Sequence, residues 1–443
     1  MPAHQFSTES FTIDTAIQRV GRANLPSPLA SAHLDDDDFV PIYLDSEHLE
    51  ELMNLPPVSL DFEPVGPRRK LYFDTTKTKC AIVTCGGLCP GINDVIRAIV
   101  MEAHHKYHVP GVLGIRYGLE GFIPKYGHKI KELTPANVSE IYQFGGTILG
   151  SSRGPQDPSE VVDALERLNI SILFIIGGDG SMRAMSSIVK EINDRNLRIS
   201  VIGIPKTIDN DISFISQSFG FETAVFKATE AILCAHTEAL GYKNGVGLVK
   251  LMGRDSGFIA AHATLALKEV NFVLVPEVPF ALEGEHGLLP QLAQRLQNRR
   301  HAVIVVAEGA GQHLMKRENV TDASGNAILG DIAELLKKSI KEYMGSNGVP
   351  YSLKYIDPSY IIRSVPANAN DRVYCGFLGQ GAVHAAMCGR TNMLVAKLMD
   401  RYVHLPLDLV IRKRKKINTH SEYWRSVLES TGQPELSIVD KGV

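Results

Sequence analysis

From Lys79 onward the chain alternates short, unbroken apolar runs with glycine-rich turns and helix-like stretches. CAIVT (80–84) leads into Gly86-Gly87-Leu88-Cys89-Pro90-Gly91 and then INDVIRAIVMEAH. VLGI (112–115) leads into Tyr117-Gly118-Leu119-Glu120-Gly121-Phe122. ILFII (172–176) runs into Gly177-Gly178-Asp179-Gly180 and then SMRAMSSIVKEI, and ISVIGI (199–204) into Pro205-Lys206-Thr207-Ile208-Asp209-Asn210-Asp211. VGLVKL (246–251) precedes Met252-Gly253-Arg254 and SGFIAAHATLAL, FVLV (272–275) precedes Pro276-Glu277, and AVIVVA (302–307) precedes Glu308-Gly309. Runs that are apolar throughout, not alternating, mark strands buried on both faces of a parallel sheet. Repeated strand-turn-helix units predict an α/β fold of doubly wound, mostly parallel sheets. The runs fall into two sets, about 79–220 and 245–310, which predicts two Rossmann-like lobes facing one cleft. In such sheets ligands sit beyond the carboxyl ends of the strands, where all the unusual clusters fall.

Residues 1–75 lack this rhythm and carry an acidic run, Asp35–Asp38, several prolines and Gly66-Pro67-Arg68-Arg69-Lys70. They read as an N-terminal extension packed partly on the main body. Four adjacent carboxylates on an extended chain rarely converge on one ion, so the run is expected to be solvated.

Composition narrows the class. The 443 residues hold 46 Lys+Arg against 49 Asp+Glu, a net charge of −3, with 44% hydrophobic and 21% charged residues. Such a balance suits a globular protein and gives no global field toward nucleic acid or an anionic membrane. Six cysteines in a chain of this length read as reduced, packing thiols of a cytoplasmic protein. Cys80, Cys85 and Cys89 lack the paired spacing of a zinc module. No run reaches the ~18 apolar residues of a spanning helix.

Three loops carry chemistry. The 86–91 loop joins a strand to a helix, where close backbone approach and free N–H groups cradle phosphate; a tight turn is the plainer alternative. In Gly177-Gly178-Asp179-Gly180-Ser181 a lone acid stands among glycines. A carboxylate beside phosphates calls for an intervening cation, and Mg²⁺ takes one or two carboxylates plus phosphate oxygens; Asp179 as a helix cap is the alternative. In Thr207-Ile208-Asp209-Asn210-Asp211, two carboxylates can supply a general base and an orienting group, or form an Asx turn. Lys206 adds a cation. Arg153 (before Gly154), Arg254 and Arg363 stand at strand ends as candidate phosphate clamps, and Glu308 as an acceptor for substrate hydroxyls. Neither a G-x-x-x-x-G-K-[ST] loop nor a G-x-G-x-x-G turn follows the first strand. The parts present are those phosphoryl transfer needs, because its catalysis is mostly positioning and charge neutralisation.

Gly-Gly-Asp-Gly (177–180), Thr-Ile-Asp-Asn-Asp (207–211) and Met-Gly-Arg (252–254), in this order, resemble the 6-phosphofructokinase family from about Lys79 to about Thr391. The N-terminal extension and Pro205-Lys206 resemble its long branch, which holds diphosphate-dependent enzymes and the ATP-dependent enzymes of plants and trypanosomatids. The resemblance implies transfer of the γ-phosphate of ATP to the 1-hydroxyl of fructose 6-phosphate. Asp209 is implied as the base, with Thr207 beside it, Asp211 supporting the loop and Arg254 assisting. Gly86, Arg153, Gly154, Gly178, Gly180, Ser181 and Lys206 are implied at the donor phosphates, with Mg²⁺ at Asp179. Ile208, Met252, Gly253, Arg254, Glu308, Lys354, Tyr360 and Arg363 are implied at the sugar phosphate. It also implies a dimer or tetramer of like chains. The chain divides on this basis into an extension (1–75), a nucleotide-phosphate lobe (76–220), a sugar-phosphate lobe (221–363) and a C-terminal segment returning to the first lobe (364–443).

Two positions depart from short bacterial forms. Gly245 stands where those use an Arg reaching from a neighbouring subunit, with Lys243 nearby, and Lys206 stands where they use Gly. Diphosphate users typically carry Asp where this chain has Gly180, and an Asp there would crowd and repel the α-phosphate of ATP; Gly180 therefore favours ATP over diphosphate. A non-catalytic regulatory relative would lose Asp179, Asp209 or Arg254, and all three are present. The run Arg412-Lys413-Arg414-Lys415-Lys416 is expected to be a solvated surface segment and not a nucleic-acid site.

Overall fold

The computed structural model describes residues 13–44, 58–315 and 328–436. The acidic and basic runs both fall within them. Two sheets carry the molecule. The first has seven strands, in chain order β1 (Lys79–Thr84), β2 (Gly111–Ile115), β3 (Lys131–Glu132), β4 (Ile172–Gly177), β5 (Ser200–Pro205), β10 (Met393–Leu398) and β11 (Arg401–Pro406). Their spatial order is β11-β10-β5-β4-β1-β2-β3. The five inner strands run parallel, and the two edge strands, β3 and β11, run antiparallel. The second sheet comprises β6 (Gly245–Leu251), β7 (Phe272–Leu274), β8 (His301–Ala307) and β9 (Ser352–Ile356) in the order β7-β8-β6-β9, parallel throughout.

Each of the seven apolar runs forms a strand within a residue or two of its expected place. The cause is burial: β4 and β5 are buried along their whole length, as their unbroken apolar runs require. Arg153, however, lies in a loop and Arg363 in the helix Ser359–Ser364, neither at the strand end expected of it. The sequence reading did not include β3, β9, β10 or β11. Lys354 interrupts the apolar pattern of β9, whose residues are only partly buried, and β11 begins exposed at Arg401.

The expected extension is pinned by a buried charge cluster. Val40–Leu44 pairs antiparallel with Val58–Phe62, and Leu25–Pro26 with Lys70–Leu71. Glu63, which follows, accepts from Arg390 Nε at 3.0 Å and lies 3.5 Å from Arg68 Nη2 and 3.2 Å from His404 Nδ1. Arg390 and His404 are fully buried. Asp36 in turn holds Arg390 Nη2 at 2.9 Å and Arg19 Nη1 at 3.0 Å. The acidic run is therefore not simply solvated: Asp36 is a partner for a buried arginine that needs a counter-charge. Asp35 pairs at the surface with Arg69.

Candidate active site

The carboxyl ends of β1, β4 and β5 meet those of β6 and β8, and the three sequence loops converge there. After β1, Gly86 adopts φ +82°, a conformation that favours glycine. Its N–H bonds Ser152 O at 3.2 Å, and its carbonyl accepts from Ser151 Oγ at 2.6 Å. These bonds bring the segment before Arg153 and Gly154 against the loop. A Cβ built on Gly87 would lie 3.9 Å from Arg363 Nη1 and 4.0 Å from Arg153 Nη2, so both guanidiniums flank the same backbone. The helix Ile92–His105 begins after the cap Gly91, which leaves Pro90 outside its first turn.

Asp179 opens the helix Asp179–Asp194, with Gly178 at the cap position. It is thus not the cap. Its Oδ2 accepts from Arg183 Nε at 3.3 Å and from Arg414 Nε and Nη2 at 3.3 and 3.2 Å. A Cβ on Gly178 would come 3.2 Å from Lys206 O, whereas one on Gly180 would meet nothing within 4 Å. Position 180 faces open space in front of the loop. Ser181 N closes the turn on Gly178 O at 2.9 Å.

The 207–211 loop is organised around one hydroxyl. Thr207 Oγ1 accepts from Asp209 N at 3.1 Å and donates to Asp211 Oδ1 at 3.0 Å. Asn210, at φ 55°, accepts from Ser218 N at 3.0 Å. The Ile208 side chain is buried in the hydrophobic core. Asp209 Oδ1 is buried and has no hydrogen-bond partner among the described residues. Burial, then Asp211, Glu308 and Asp255 in turn, push its pKa well above the usual carboxylate range against the pull of Lys206. Asp211 is also raised by burial. Lys206, 5% exposed, donates to Gly87 O at 2.6 Å, and burial lowers its pKa.

The second sheet supplies the facing wall. Gly253 has φ +134°, and a Cβ there would stand 2.5 Å from Ser256 O. Glu308 N bonds Leu251 O at 2.9 Å and Gly309 N bonds Gly253 O at 3.0 Å, which zips the Met252-Gly253-Arg254 turn to the turn after β8. Burial raises the Glu308 pKa, opposed by Arg254, Lys250 and Arg363. Ser256 Oγ donates to Asp209 O at 3.1 Å and joins the two walls. Arg363 stacks over Tyr360 at 4.9 Å, and Tyr360 is 74% exposed. Lys354 lies elsewhere: its ammonium sits over Tyr242, just before the start of β6, toward the opposite end from the Met-Gly-Arg turn.

Sequence reasoning missed Asp255, Ser256 and Arg414. The first two follow the Met-Gly-Arg turn and are visible only through their contacts. Arg414 corrects the reading of the basic run: Arg412, Lys413 and Lys416 are exposed, but Arg414 turns inward onto Asp179 and Asp255. Cys80, Cys85 and Cys89 are buried, and burial drives their thiols upward, as packing cysteines require. Among the described residues no group of His, Cys, Asp and Glu could hold a metal by itself, and no helix is long and apolar enough to cross a membrane.

A doubly wound frame, a glycine-rich loop at a helix start, converging cations and a sealed carboxylate together make a phosphoryl-transfer site. The chain belongs to the phosphofructokinase family, whose model matches residues 79–386. It is 50% identical over 382 residues to an ATP-dependent 6-phosphofructokinase of Borreliella burgdorferi, covering 84% of this chain and 85% of the relative. It is 44% identical over 402 residues to one from Trypanosoma cruzi, covering 87% and 82%. A pyrophosphate-dependent phosphofructokinase from Marinobacter aquaeolei shares the fold, with TM-score 0.66 and 21% identity over 83% of this chain and 94% of that one.

Proposed function

We propose that this chain is an ATP-dependent 6-phosphofructokinase, transferring the γ-phosphoryl group of ATP to the 1-hydroxyl of fructose 6-phosphate to give fructose 1,6-bisphosphate and ADP. The observation that carries the reading is Asp209 Oδ1, a buried acceptor without a hydrogen-bond partner among the described residues, in a loop where Thr207 Oγ1, Asn210 Oδ1 and Asp211 Oδ1 are bonded. A substrate hydroxyl supplies the missing donor. When O1 attacks, its proton passes to Asp209, the new P–O bond forms at O1, and the bond to the β-phosphate oxygen breaks. Thr207 and Asp211 keep the loop in shape. Lys206, Arg153 and the backbone of 86–87 and 178–181 hold the donor phosphates, whose charge they offset.

Asp179 is the carboxylate that opens the helix at the donor loop, and it would hold Mg²⁺ arriving on nucleotide phosphates, an ion that takes one or two carboxylates plus phosphate oxygens. When bound, the ion neutralises charge on the transferring group. Arg254 and Glu308 face the sugar, Met252 and Gly253 shape its pocket, and Arg363 with Tyr360 stands toward its 6-phosphate. ATP as donor is supported by the names of the relatives and by the open space before Gly180. Assembly with like chains is supported by Phe226, Leu233 and Leu240, spaced seven apart and exposed along the helix Phe221–Leu240. The test is formation of fructose 1,6-bisphosphate from fructose 6-phosphate with Mg²⁺ and either ATP or diphosphate. Turnover with diphosphate alone would reverse the donor, and none with either would end the reading.

A further inference from the structure

We propose that Arg414 is a positioning residue for phosphoryl transfer, holding the donor-side Asp179 and the acceptor-side Asp255 in one frame. The inference rests on the reaction proposed above and deepens it.

Asp179 belongs to the first sheet's donor loop, and Asp255 follows the Met-Gly-Arg turn of the second sheet. One guanidinium spans them: Nε and Nη2 reach Asp179 Oδ2, and Nη1 reaches Asp255 Oδ2. A planar fork with donors on two edges can do this, whereas a lysine ammonium is a point charge. The backbone around it is anchored separately. Arg414 forms an antiparallel bridge with Ile212, Lys415 N bonds Asp211 O at 2.8 Å, and Lys415 Nζ bonds Ile215 O at 2.8 Å. Arg414 is thus carried by the loop that holds Asp209, and it grips a carboxylate from each sheet. Arg183 and Arg414 donate to the same oxygen, Oδ2, so the Asp179 carboxylate is held by one edge. Outer partners that orient a metal-binding carboxylate typically matter about 10–100-fold for affinity or rate.

The test compares Arg414→Ala and Arg414→Lys with the wild type in three measurements: steady-state turnover, Mn²⁺ binding in the presence of ADP by electron paramagnetic resonance, and fructose 6-phosphate binding by calorimetry without nucleotide. Both variants should lose about 10–100-fold in kcat and bind Mn²⁺ correspondingly more weakly. Fructose 6-phosphate affinity should stay near that of the wild type. Guanidinium at non-denaturing concentration should restore part of the turnover of Arg414→Ala and none of that of Arg414→Lys. Wild-type kcat and Mn²⁺ affinity in Arg414→Ala would overturn the inference. So would tighter Mn²⁺ binding, which would make Arg414 a competitor for the cation, or a loss shared by fructose 6-phosphate binding and not rescued. A wild-type enzyme inert with ATP would sink the proposed reaction instead, and the Mn²⁺ measurement would still decide the role of Arg414.

Discussion

The Lys206 ammonium is sealed against the carbonyl of Gly87, 2.6 Å away, and so ties the end of β5 to the glycine loop after β1. Among the described residues this cation's hydrogen bond goes to one carbonyl, and burial lowers its pKa. In the proposed reaction, donor phosphates complete its environment. Lys206→Met should therefore lower kcat/KM for ATP by about 10²–10³, the scale for losing one preorganised charge-stabilising donor. Fructose 6-phosphate affinity should change little. Steady-state kinetics with calorimetry check this, and unchanged ATP kinetics would remove Lys206 from the donor site.

Asp209 must be ionised to take a proton, and its pKa is raised by burial and by the neighbouring carboxylates. The acid limb of kcat/KM against pH should accordingly lie above the ordinary carboxylate range near ~4. Asp209→Asn should cost about 10²–10⁴ in kcat. Stability should move oppositely. A carboxyl whose folded pKa is raised destabilises the fold as pH climbs from its unfolded value through its folded one. Asp209→Asn should thus melt higher than the wild type at neutral pH, with the gain vanishing below about pH 4. Equal melting temperatures across that range would contradict the buried, unpaired carboxylate.

Gly180 offers a clean test of donor choice, because a Cβ there would meet nothing within 4 Å beyond its own helix backbone and chain neighbours. Gly180→Asp should leave folding and fructose 6-phosphate binding intact. It should cut ATP turnover about tenfold or more, since like charges some 4 Å apart repel by several kcal/mol at a partly shielded site. Thermal melting and kinetics with both donors separate the effects. A variant that keeps its ATP turnover would refute the steric and electrostatic argument.

Glu63 answers for stability, not chemistry. It faces Arg68, Arg390 and His404, and these partners hold its carboxyl well below its usual pKa despite burial. Glu63→Gln leaves buried arginines without their counter-charge and should destabilise the protein by about 3–5 kcal/mol at pH 7. A depressed carboxyl contributes above its unfolded pKa of ~4.3 and loses that contribution as pH falls. The gap between wild type and variant should therefore shrink in acid. Denaturant titration at two pH values reads it, and a constant gap would argue against an ionic origin.

Taken alone, the order of residues determined the elements whose physics is local. Unbroken apolar runs made the central strands, and glycines beside strand ends made the loops at their carboxyl ends. The motifs Gly177–Gly180, Thr207–Asp211 and Met252–Arg254 named the chemistry. Partnership over distance is a different matter, since a charge in sequence carries no sign of what will face it. The two charged runs looked alike, both polar and both apparently solvated. Only packing put Asp36 beside the buried Arg390, and Arg414 against Asp179, 235 residues earlier. Packing likewise turned Ile208 into the core and sealed Asp209 Oδ1 without a partner. Burial and electrostatic neighbourhood arise when the two sheets and the C-terminal segment close on one another, and those quantities decide which carboxylate is raised and sealed and which arginine is more than surface charge.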